Sequence, residues 1–128
     1  MSLAAPATRD ASTRPGQTRQ AIVDALGAIP GLTAYATAPD QATAGAAWPR
    51  WQQTTYDGRL CELASDTYDV LVTLPADYQA TTVDEGDGYR DVVAMALLAV
   101  GRIQYAEPVQ VHFQDNQAMP GLRLRLTT

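Results

Sequence analysis

Residues 121–128 read GLRLRLTT, and from Leu122 to Leu126 leucine and arginine alternate without a break. A strand turns successive side chains to opposite faces, so Leu122, Leu124 and Leu126 share one face and Arg123 and Arg125 the other. The leucines need a core. What the two arginines face is the question this segment raises about function.

Upstream, Val109, Val111 and Phe113 alternate with Gln110, His112 and Gln114, and DNQAMPG (115–121) joins them to the leucine–arginine strand. That pattern predicts a terminal hairpin. In TYDVLVTLP (67–75), Tyr68, Val70, Val72 and Leu74 fall on one face and Thr67, Asp69, Leu71 and Thr73 on the other, and Pro75 closes the strand. Between them lies TTVDEGDGYRDVVAMALLAVGRI (81–103). Tyr89, Val92, Val93, Ala96, Leu97, Val100 and Ile103 form a helical stripe that Met95, Leu98 and Ala99 widen, which predicts a helix covered over much of its circumference. Thr82 and Glu85 have capping-box spacing, but Gly86 and Gly88 would each cost about 1 kcal/mol inside a helix, so a start nearer Asp87 is expected.

Nearer the N-terminus, Pro15 suits a first helical turn, and Ile22, Val23, Leu26 and Ile29 recur at helical spacing until IPG (29–31). From Leu32 to Ala47 the pattern alternates weakly. WPRW (48–51) is followed by QQTTYDGRLCEL (52–63), in which Asp57-Gly58 signals a turn or bulge between β-favouring residues. Helix, two or three strands, helix and hairpin predict an α+β domain: a mainly antiparallel sheet of four to five strands with two helices on one face. The first fourteen residues are small and polar apart from Leu3, and read as a flexible arm before a single domain at 15–128.

Charge narrows the function. The 128 residues carry nine arginines, no lysine, and fourteen acids, for a net charge of −5. The acids are concentrated: residues 1–39 and 92–128 are each +1, and 40–91 are −7. This argues against a general nucleic-acid binder, which neutralises phosphates. The longest apolar run, Val92 to Val100, is too short to span a bilayer, and a soluble protein of the reducing cytoplasm is expected, consistent with the single cysteine, Cys61.

Catalytic patterns are absent. Asp84, Glu85, Asp87 and Asp91 do not follow the calcium-loop template and suit a helix N-terminus instead. His112, the only histidine, stands between two glutamines, and nothing in the sequence brings Cys61 to it. There is no phosphate loop, nucleophile elbow or histidine-carboxylate metal pattern, so neither an enzyme nor a cofactor is expected. Trp48 and Trp51 around Pro49 and Arg50 either plug the edge of the core or anchor an interface, where Trp and Arg predominate.

Three segments, AAWPRWQQTTYDG (46–58), SDTYDVLVTLPADY (65–78) and EPVQVHFQDNQAMPGLRLRLTT (107–128), together with the intervening helix, resemble small neck or tail-completion proteins of long-tailed bacteriophages of actinobacteria. The nearest likeness is to the tail terminator type. The resemblance covers roughly residues 17–128 and rests on length, element order and phrasing. It implies a structural virion protein assembled in the host cytoplasm, without catalytic residues, forming a ring, typically a homohexamer. Such a ring caps the tail tube, stops addition of tail tube protein, and presents a surface to a head-completion or stopper neck protein. On that reading, Arg123 and Arg125 face an adjoining subunit or the ring lumen and passing DNA, with Trp48, Arg50, Trp51 and His112 as further contact residues. Alternatively, arginines on a terminal edge strand simply discourage edge-to-edge aggregation. Other neck components, or a small α+β ligand-binding domain or enzyme with a pocket near Tyr68, Cys61 and His112, are the competing functional readings.

Overall fold

The computed structural model of the chain describes residues 14–56, 65–75 and 83–128. Two helices, α1 (Arg14–Gly27) and α2 (Val83–Leu97), accompany five strands: β1 (Thr33–Ala34), β2 (Ala46–Thr55), β3 (Ser65–Thr73), β4 (Arg102–His112) and β5 (Ala118–Thr127). The strands form one sheet in the order β1-β2-β3-β5-β4, with β1 parallel to β2 and every other pairing antiparallel. The fold is therefore α+β, as the element order predicts. Residues 1–13 of the expected arm, the Asp57-Gly58 turn, Cys61 and the Thr82 cap lie outside the described residues, whereas Arg14 belongs to α1.

The leucine–arginine strand is not at the edge. β4 leaves α2 and takes the outer position, and β5 returns between β4 and β3, so its leucines meet the middle of the core. Leu124 and Leu126 are completely buried and pack with Tyr68, Val70 and Val72 of β3. From the helices, Ile22 and Leu26 of α1 and Tyr89, Val93 and Leu97 of α2 close the same core. This placement overturns the edge-protection reading of Arg123 and Arg125: an interior strand has no free edge to guard.

The α2 helix differs from its sequence reading at both ends and around its girth. It starts at Val83 and so carries both Gly86 and Gly88, and it ends at Leu97. Beyond it the chain turns, with the Val100 and Gly101 amides donating to the Leu97 carbonyl, yet Val100 and Ile103 still pack against the core. The apolar period thus continues through a turn into β4 after the helix has stopped. Nor is the circumference covered: Val92, Met95 and Leu98 are 49%, 71% and 59% exposed.

Proline occurs in both outer parts of the sheet. WPRW belongs to β2, which tolerates the buried Pro49 because, among the described strands, β1 pairs only with Ala46 and Ala47 and no ladder bond on that side needs the Pro49 amide. Pro108 occupies the outer strand β4. Each lacks the amide that an added strand would need, which protects the sheet from edge pairing.

Candidate functional site: the arginine face of the sheet

The two-residue period that sends the leucines toward the helices sends a second set of side chains to the other side of the sheet. No described helix covers that side. Cross-strand register aligns one row as Arg50 on β2, Asp69 on β3, Arg125 on β5 and Tyr105 on β4. The next row is Trp48, Leu71, Arg123 and Glu107. Residues distant in sequence thus become cross-strand neighbours.

Asp69 is the centre of the first row, with its side chain only 2% exposed. Arg125 grips it with two parallel hydrogen bonds, Nε to Oδ1 at 2.8 Å and a terminal nitrogen to Oδ2 at 3.1 Å. This fork geometry supports a strong charge-assisted pair. The same guanidinium lies over the Tyr105 ring, 5.5 Å from its centre. Arg50 reaches the remaining side of Asp69 more loosely, at 3.6 Å from Oδ2. In the second row Arg123 donates to Glu107. Its Nε is buried without an acceptor.

Both central arginines are held more basic than an ordinary guanidinium. For Arg123 the main cause is the hydrogen bond to Glu107, for Arg125 the bond to Asp69, and burial opposes both. A raised basic pKa stabilises the fold below the ordinary guanidinium range and is lost only above it. These pairs therefore keep their arginine charge at any working pH.

Beyond the arginines the face turns apolar. Trp48 is buried against Phe113, with ring centres 5.6 Å apart, and Leu71 and Val111 complete that cluster. Tyr35 and Ala42, from the connection between β1 and β2, pack over it. The connection is tied down where the Ala42 amide donates to Asp115 and the Thr73 hydroxyl to the Thr43 carbonyl. Gly121 is required here, because a Cβ at that position would stand 2.2 Å from the Val72 carbonyl oxygen and 2.7 Å from a Val111 methyl. Between the charged and apolar parts lies a depression of about 180 Å³, lined by Arg50, Leu71, Val109, Gln110, Val111, His112 and Arg123.

Of the six contact residues expected from sequence, Arg50, Arg123 and His112 meet at this depression, with Arg125 in the neighbouring row. Trp48 is buried inside the chain. Trp51 parts from it: one residue beyond Arg50, it takes the helix side, half exposed, with its indole donating to Thr54, which donates to the buried Asp66. Sequence reasoning missed Asp69 and Glu107, the residues that hold the arginines in place. The available signal was Asp69, the one charged residue within TYDVLVT, a position that calls for a basic partner.

Among the described residues, no group of three or more His, Cys, Asp or Glu side chains could hold a metal ion, and no helix is long and apolar enough to cross a membrane. No protein-family model matches the chain, and no curated protein matches it.

Proposed function

We propose that the chain is a ring-forming structural subunit of a bacteriophage tail, of the terminator type. In that role it caps the tail tube, stops addition of tube protein and offers its outer surface to a neck protein on the head side. The observation that carries this reading is the pair of unlike surfaces on opposite sides of the molecule. On one side α2 and the turn after it expose Val92, Met95 and Leu98, and on the other the sheet presents its arginine face. Exposed apolar residues grouped on one element favour a protein contact. Two different patches on opposite sides suit a head-to-tail contact, which closes into a ring when the rotation per subunit permits. Proline in both outer parts of the sheet disfavours the competing route of assembly by strand addition. The role is mechanical and requires no catalytic group.

Light scattering coupled to size exclusion, at several protein concentrations and two salt concentrations, tests the proposal. A closed oligomer is expected, or a mass that climbs toward one with concentration. Added to growing tail tubes, the protein should cap them and limit their length. A strict monomer that neither assembles nor arrests tubes would refute the reading.

A further inference from the structure

Among the described residues the arginine face is not balanced in charge. There Arg50, Arg123 and Arg125 pair with Asp69 and Glu107, an excess of one positive charge in a protein whose net charge is −5. Arg125 already occupies both oxygens of Asp69, so Arg50 is left at the longer distance with 54% of its side chain exposed. It lines the depression together with Arg123 and the apolar Leu71, Val109 and Val111. The chemistry that fits is a carboxylate for the arginines with an adjoining apolar side chain for the leucine and valines.

The chain carries that combination on α2. In its sequence Asp84, Glu85, Asp87 and Asp91 accompany a single cation, Arg90, and Asp91 is followed by the exposed Val92 and Met95. Asp91 is itself 70% exposed, and its ion-pair partner is the adjacent Arg90, at 3.4 Å. Because α2 lies on the helix side of the sheet, one molecule cannot bring its own Asp91 to its own arginine face. A second copy can.

We propose that the acidic, apolar side of α2 from one copy docks on the Arg50–Arg123 depression of the next. The proposal rests on the ring reading above and names the contact that builds the ring. The contact joins unlike surfaces, so each copy offers one of each, and its strength falls with salt as the charges are screened.

Charge exchange tests it. Asp91→Arg, at an exposed position, and Arg50→Glu should each weaken self-association of the full chain by roughly tenfold or more. An equimolar mixture of the two variants should recover it, since each then offers the surface the other needs. Arg50→Gln serves as a second variant, because a glutamate beside buried Asp69 strains the fold, and circular dichroism confirms that each variant is folded. If the wild type assembles while folded Asp91→Arg and Arg50→Gln assemble equally well, this contact is overturned and the ring reading survives. The contact is overturned in the same way if the single variants dissociate and the mixture does not recover. A wild type that stays monomeric alone and with tail tubes overturns both.

Discussion

β3 is buried along almost its whole length, yet its two faces are buried by different means. Tyr68, Val70 and Val72 lie beneath two helices, among leucine, isoleucine and valine. Thr67, Asp69, Leu71 and Thr73 are equally hidden, but their cover is the long side chains of neighbouring strands, Trp48 and the arginines among them, together with the connection from β1 to β2. The helix face gains from removal of apolar area from water, which is non-directional and tolerant of detail. The arginine face depends on hydrogen-bond geometry around one buried carboxylate, which is directional and fails when a partner is lost. One face stores stability, and the other is suited to recognition while contributing less to stability.

Substitutions can probe that contrast, and the largest effect belongs to the helix face. Leu124→Ala removes a completely buried side chain at the middle of the sheet and should cost about 2–5 kcal/mol, read from urea unfolding. Gly121→Ala comes next: its methyl would collide with backbone, not with a movable side-chain end, and a loss of about 1–3 kcal/mol is expected by the same measurement.

On the arginine face, Asp69→Asn strips the charge partner from Arg125 and Arg50. Since both arginines reach solvent, the loss should stay near 1–3 kcal/mol, below the full penalty of an isolated buried pair. The double replacement Asp69→Leu with Arg125→Met should recover stability relative to Asp69→Leu alone, because no unpaired charge remains. Failure to recover would mean that the pair carries geometry the sheet cannot do without. Glu107→Gln, in a half-exposed pair, should change stability by less than about 1 kcal/mol and lose even that in high salt. Met95→Ser should leave unfolding within about 0.5 kcal/mol of wild type while lowering the association measured by light scattering. An effect of Met95→Ser on unfolding alone would assign the α2 stripe to the fold instead of to a contact.

Much of the helix face was legible in the sequence, because periodicity is local. TYDVLVT and LRLRL show which side chains share a face, and Ile22, Leu26, Val93 and Leu97 show which side of each helix is buried. Where local period misled, the cause was nonlocal packing. Val100 and Ile103 extend the apolar rhythm of α2 although the helix has ended, since turn and strand serve the same core. That WPRW lies in β2 is likewise nonlocal, because a proline is tolerated in a strand only where no neighbouring strand needs its amide.

The arginine face was only half legible. Composition and alternation alone determine that Arg123 and Arg125 lie together, opposite three buried leucines, in an acidic chain. They do not determine what those arginines touch. That depends on β5 inserting between β3 and β4, which brings Asp69 from 56 residues away and Glu107 from 16 residues away into register with them. A two-residue period carries information about side and none about neighbour, because strand order is settled by the packing of the whole sheet.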